Sequence, residues 1–334
     1  MRLCLQRREF IAGLGGAVAW PLVARGQQPN RVRRVGILVG QSENDPYYRS
    51  FVADFIEELA RLGWVAGRNL QIHQRWGNDD LERTQALAKE LIALQSDVIL
   101  TVATASGTAT LQRESRTIPV VFTIISDPVG LGFVAGLPRP GGNLTGFISI
   151  EGTIAGTWLQ FIKEIAPHIK AAAAMYNPDF MPYARHFLGP FDAAAHILMV
   201  EPIVAEVRSV AEIESTIGSL GRQQAGLVIL PDVFTAVHSA TIAAAATRNK
   251  VPAITSSLRS FTANGGLMRY GPNNSVLPRQ AAGYVDRILK GEKPADLPVQ
   301  LPTRYEFVIN TKTAKSLGLD IPRTVSALAT EVIE

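Results

Sequence analysis

Five histidines punctuate the chain, His73, His168, His186, His196 and His238. None stands in a His-x-x-x-His or His-x-His pair, so metal chemistry on imidazole has no support and each reads as a surface or packing residue. No Gly-x-Ser-x-Gly elbow supplies a hydrolase nucleophile. Gly130, Gly132 and Gly136 evoke a dinucleotide fingerprint, but its last interval is one residue too long. Ser126 to Val129 also separate it from the preceding apolar run, whereas that fingerprint needs its glycines at the turn, where backbone approaches pyrophosphate. A phosphate-binding P-loop is absent. Signals for reversible binding are stronger, with no cofactor and no metal expected.

The residues suited to binding sit where apolar runs stop. Thr104, Ala105 and Ser106 follow the run Asp97 to Ala103 and open a helix, whose first N–H groups suit a carboxylate. Ser106 equally reads as a plain N-cap. Ser126 and Asp127 follow Val120 to Ile125; Asp127 before Pro128 either builds a turn or meets a ligand. Tyr176 with Asn177, then Asp232, Ser256 and Tyr270, hold comparable places in the second half. Asp232 either caps a helix near Thr235 or faces the solute. Tyr47, Tyr48, Trp76, Phe180 and Phe234 lie near the same strand ends and read equally as cleft walls, core or surface.

Strands and helices must alternate to bring these ends together. Buried strands are expected at Val32–Gly40, Asp97–Ala103, Pro119–Ile125 and Ala225–Leu230, with a half-buried one at Leu70–Trp76. Amphipathic helices are expected at Tyr47–Leu62 and Leu81–Leu94. After Ile148 the pattern starts again, with strands at Ile169–Tyr176, Val200–Val207, Pro252–Thr255 and, last, Tyr305–Ile309. A helix over Tyr183–His196 is expected to be interrupted or bent at Gly189-Pro190. Such alternation predicts parallel sheets covered by helices on both faces.

Residues 1–26 read as an export signal rather than as fold. Arg2 to Arg8 precede a modestly apolar run, Phe10 to Val23, and small residues follow at Ala24 and Gly26. Gln6-Arg7-Arg8-Glu9-Phe10-Ile11 resembles the twin-arginine signal; the alternative is an ordinary signal that carries two arginines. Cleavage near Gly26 removes four arginines and one glutamate, so the net charge falls from +4 to +1. The electrostatic case for a nucleic-acid partner goes with it. Cys4, the single cysteine, also leaves. The mature chain then has no disulfide, thiolate metal site or cysteine nucleophile, and no membrane span, since the apolar run falls short of the ~20 residues needed.

The stretch Pro119 to Gly146, PVVFTIISDPVGLGFVAGLPRPGGNLTG, also resembles the ABC-transporter substrate-binding proteins of the tryptophan/tyrosine-binding type. Further matches are Leu159 to Asn177, Leu230-Pro231-Asp232, Ala263 to Gly271 and Ala281 to Val308. The resemblance implies an α/β fold of two Rossmann-like lobes with parallel sheets, joined by a multi-crossover hinge: the type I periplasmic binding protein clamshell. Residues 32–147 with about 272–297 would form one lobe, and 148–271 with about 304–320 the other. Crossovers are expected near Leu144–Ser149, Leu267–Gly271 and Pro298–Arg304. The implied function is capture of a small solute for an inner-membrane ABC permease. An aromatic or branched apolar amino acid is the first ligand and a small carboxylic acid the second. An exported enzyme using Asp127 or Asp232 as base, and a sensor domain feeding a membrane kinase, are the competing classes.

Overall fold

The computed structural model describes residues 31–181, 183–256 and 259–334. The export signal read at residues 1–26 lies outside them. Five parallel strands form a first sheet: β1 (Arg33–Val39), β2 (Leu70–Trp76), β3 (Val98–Val102), β4 (Val120–Ile125) and β5 (Leu144–Ile148), in the order β2-β1-β3-β4-β5. Helices α1 (Pro46–Arg61), α2 (Leu81–Ala93) and α3 (Ala105–Glu114) connect them. Strand β1 shows why both faces are covered. Val35, Ile37 and Val39 pack with Phe51, Phe55 and Leu59 of α1, while Leu38 packs with Ala88 and Leu91 of α2. An alternating side-chain direction thus feeds two apolar layers.

The second sheet has seven strands: β6 (Ala171–Tyr176), β7 (Glu201–Glu206), β8 (Gly226–Ile229), β9 (Ala253–Thr255), β10 (Met268–Pro272), β11 (Tyr305–Asn310) and β12 (Glu331–Ile333). Their order is β12-β11-β10-β9-β8-β6-β7, and only the β10–β11 pair is antiparallel. The helices here are α4 (Ile154–Ile165), α5 (Arg185–Ile197), α6 (Val210–Arg222), α7 (Val233–Val237), α8 (Ser239–Arg248) and α9 (Arg259–Ala263). Alanine favours helix over strand, yet Ala171 to Ala174 form β6. Ala172 and Ala174 join the cluster built on α4 and α5, and Ala171 and Ala173 the one built on α6 and α8. Two buried faces override propensity, and small side chains let the helices approach. Helix α5 runs continuously through Pro190 rather than being interrupted there.

The chain passes between the sheets three times. Ser149 to Thr153 lead from β5 into α4. Asn273 to Val276 lead from β10 into α10 (Leu277–Leu289), which packs back on α1 through Leu277, Ala281 and Val285. The third passage runs beside the first, where Gln300 bridges to Phe147. The second passage was expected at Leu267–Gly271. Those residues instead include most of β10, because Leu267 and Met268 are buried in the second core, and the chain leaves only at Asn273, whose N–H donates to the Arg304 carbonyl at 2.9 Å. After β11 come α11 (Thr311–Leu317), α12 (Arg323–Ser326) and β12, so the Tyr305 strand is not the last. Strand β12 is three residues long with Glu331 and Val332 exposed, too short to show a period of two.

Trp64 Nε1, just past α1, donates to Asp286 Oδ1 of α10 at 2.8 Å, pinning the returning helix to the first lobe. Asp286→Ala should leave that indole N–H unpaired and cost about 1–3 kcal/mol. Asp286→Asn, which keeps an acceptor, should cost less in a urea-unfolding comparison.

Candidate functional site

The carboxyl ends of the two sheets enclose a cleft of about 270 Å³, near the lower end of the ~300–1,000 Å³ usual for small-molecule sites. Gln41, following β1, lines it and donates from Nε2 to the Ala103 carbonyl at 3.2 Å, tying two strand ends together. Thr104 caps α3, its Oγ1 accepting the Gly107 N–H at 3.0 Å. The cap is therefore Thr104 and not Ser106, whose hydroxyl lies 3.4 Å from Thr104 Oγ1. Ala105, on the first turn of that helix, stands on the cleft wall.

Strand β4 ends in a bulge, with the register shifting between Thr123 and Ile125. The intervening Ile124 has φ 57°, and Ala103 at the end of β3 has φ 50°. A β-branched residue in that region is a genuine outlier, costing about 1–3 kcal/mol. Four of the other positive-φ residues (Gln95, Met199, Gln224, Lys250) sit just past helix ends, and Asn78 and Asp79 lie in a loop. Helix ends and Asn/Asp loop positions take this conformation readily. Ala103 and Ile124 have no such excuse, and both line the cleft. Beyond the bulge come Ser126 and Asp127. Asp127 Oδ1 accepts the Gly130 N–H at 2.8 Å, so this residue builds the turn and also lines the cleft. Its Oδ2 lies 3.4 Å from His186 Nδ1 of the other lobe.

Asp232 follows β8 and caps α7, accepting the Thr235 N–H at 2.7 Å and the Asn177 N–H at 3.0 Å. It is only 5% exposed. Burial pushes its carboxyl above the ordinary range, against the pull of the N–H groups of Thr235 and Asn177. Tyr183 lies nearby; burial, then the charge of Asp232, raises its hydroxyl. Burial also raises Tyr48 on the opposite wall, with Tyr47, Asp45 and Asp79 adding to it. Both phenols are therefore O–H groups, donors or acceptors, at neutral pH.

Five sequence candidates thus meet on the cleft wall: Ala105, Ser126, Asp127, Asp232 and Ser256. The other five lie behind or away from it. Thr104 and Ser106 support the start of α3, and the Asn177 N–H supports Asp232. Tyr176 is buried in the second core with its hydroxyl donating to Glu206 Oε1 at 3.2 Å. Tyr270 stacks on Tyr305 with ring centroids 5.5 Å apart, and meets Phe161 edge-on. Among the aromatic candidates Tyr48 lines the cleft, while Trp76 is in the core and Tyr47 and Phe180 are exposed. Gln41, Ser149, Tyr183 and Asn274 complete the polar lining. Sequence reasoning passed over these four, although Gln41 and Ser149 do follow strands. Among the described residues no cluster of three or more His, Cys, Asp or Glu is placed to hold a metal ion, and no helix is long and apolar enough to cross a membrane.

Residues 37–333 match the family model of ABC transporter substrate binding proteins. The chain belongs to this family. It is 26% identical over 268 residues to a tyrosine-binding protein of Clostridioides difficile, covering 79% of this chain and 75% of that one. A conserved domain protein from Vibrio cholerae superposes with TM-score 0.78 at 25% identity, over 90% of this chain and all (100%) of that one. An ABC domain from Streptococcus pneumoniae in complex with L-Trp gives 0.77 at 25% identity, over 90% and 99%. The two-lobed architecture is that of the type I periplasmic binding proteins. This ABC transporter substrate-binding protein is a solute binder, so the enzyme reading of Asp127 and Asp232 falls.

Because burial holds the folded Asp232 above its unfolded value of ~3.9, the native state binds that proton more tightly. The contribution of this group to stability is greatest below the unfolded value and declines as pH rises through the raised one, then levels. Unfolding of the native protein and of Asp232→Asn should therefore diverge in the variant's favour across that window. A difference independent of pH would contradict the assignment.

Proposed function

We propose that the protein captures an α-amino acid with an aromatic or branched apolar side chain between its lobes, as the solute-binding component of an ABC importer. The observation that carries this reading is the pair of carboxylates, Asp127 from the first lobe and Asp232 from the second, on one cleft. An ammonium taken out of water must find acceptors, since an unpaired buried charge is costly. Asp127 is not used up by its bond to Gly130, because a carboxylate accepts at about four lone-pair sites, and Asp232, held by the Thr235 and Asn177 N–H groups, lines the same cleft. The solute's own carboxylate would meet the first turn of α3 beside Ala105, where N–H groups lack intrahelical partners. Ile124, Ile125, Leu131, Ile150 and Val233, with Tyr48 and Tyr183, offer walls to an apolar side chain. The tyrosine-binding relative and the L-Trp complex favour an aromatic one.

Delivery is to an inner-membrane ABC permease, from the periplasm. The observation behind export is Arg7-Arg8 ahead of a weak apolar run that ends near Gly26. Replacing Arg7 and Arg8 by Lys should hold the precursor in the cytoplasm, as followed by cell fractionation. Normal export of that variant would exclude the twin-arginine route while leaving export itself standing.

Aromatic and branched apolar amino acids should raise the melting temperature, a binder at 100 times its dissociation constant adding ~2.7 kcal/mol. Removing one partner of a buried charge pair typically costs about 2–5 kcal/mol in binding, or roughly 30- to several-thousand-fold in affinity. Calorimetry with the best binder should show such a loss in Asp127→Asn or Asp232→Asn, with circular dichroism unchanged. Near-native affinity in both would point to a carboxylic acid without the amine.

A further inference from the structure

His186 stands on α5 in the second lobe, yet its ring reaches the first. Its Nε2 accepts the Gly152 N–H at 2.9 Å, and its Nδ1 lies 3.4 Å from Asp127 Oδ2. An accepting ring nitrogen carries no proton, so the neutral ring holds its proton on Nδ1, the atom facing the carboxylate. Three segments therefore meet at one imidazole: the end of β4, the first passage between the lobes, and α5.

The backbone fixes where that ring can be. A Cβ on Gly152 would run into the carbonyl oxygen of His186. Pro190, one turn further along α5, has no N–H to offer that carbonyl, so this side of the helix is open to Gly152. The inter-lobe passage is thus seated on the same residue whose side chain points at Asp127.

We propose that His186 is a positioning residue and the latch between the lobes. It is neutral, held as the Nδ1–H tautomer by Gly152, and donates to Asp127 Oδ2 as the lobes close. The present 3.4 Å separation is just beyond the usual N–H···O range of about 2.7–3.2 Å. A closure of a few tenths of an ångström completes a bond to an ionised acceptor, which is among the stronger kinds. With Oδ1 held by Gly130 and Oδ2 by His186, the carboxylate of Asp127 is oriented for the cleft. The latch needs two lobes and these three residues; it does not depend on which solute is bound.

The tautomer and the latch are tested on the full chain with solute removed by dialysis, at about pH 8, above the ordinary histidine range. Nitrogen NMR of ¹⁵N-labelled protein should show His186 with Nδ1 protonated and Nε2 bare. Small-angle scattering should give His186→Ala a larger radius of gyration than the native protein. His186→Gln should stay near native, because its amide oxygen can accept from Gly152 while its NH₂ donates to Asp127. The reversed tautomer would overturn the proposal. So would a folded His186→Ala with native dimensions, or a His186→Gln as open as the alanine variant. Should the alanine variant not fold, the tautomer and the glutamine variant still decide. None of these readings changes if the search for an amino-acid ligand fails.

Discussion

A parallel strand covered on both faces must be apolar along its length, so polar chemistry is confined to where it ends. That constraint organises this molecule. Strands β3 and β8 are buried throughout and β4 everywhere but at Ile124, and Thr104, Ser126 with Asp127, and Asp232 appear one to three residues beyond their last apolar positions. Three passages of chain tie the two sheets so that these ends face each other. Cleft, hinge and core are consequences of one pattern of burial. The site cannot be moved along a strand without placing a polar group between two apolar layers.

The ends themselves are not relaxed. Ile124 and Ala103 hold left-handed backbone on the cleft wall, and burial raises the carboxyl of Asp232 above its ordinary range. Each of these features costs stability in the empty protein. A solute bearing an ammonium would offset part of that cost by lowering the charge penalty at Asp232, and closure around it would strengthen the pairing as water leaves. Backbone strain at Ala103 and Ile124 and the burial of Asp232 fall on one cleft, which marks it as a working part of the fold.

Much of this was legible in the sequence because apolar runs and abrupt polar ends are local signals. The two α/β lobes followed from alternation, and even the alanine strand β6 could be placed by what surrounds it. Tyr176 shows where such reading stops. It is the last residue of its strand, but its parity on β6 turns it toward α4 and α5, into the core. Tyr270 lies in β10, whose antiparallel partner β11 surrounds it with Tyr305 and Phe307. Asn274 and Tyr183 reach the cleft from connecting segments, and His186 acquires its role only because Gly152 and Asp127 are brought beside it from distant parts of the chain. Local pattern specifies which residues end a strand; it does not specify which of two faces a side chain takes or which loops cross the gap.

The same geometry limits what any solute can do to the protein. A ligand shifts the open–closed balance only by as much as it prefers one state over the other. Contacts made with a single lobe, such as those at Ala105 or Ser126, are available whether the cleft is open or shut and contribute affinity without closure. Contacts that need Asp127 and Asp232 together, or Tyr48 and Tyr183 together, exist only when the lobes meet. Selectivity for productive binding therefore rests on solutes long enough and suitably charged to touch both walls at once. A solute that satisfied only the first lobe would occupy the site and leave the protein open.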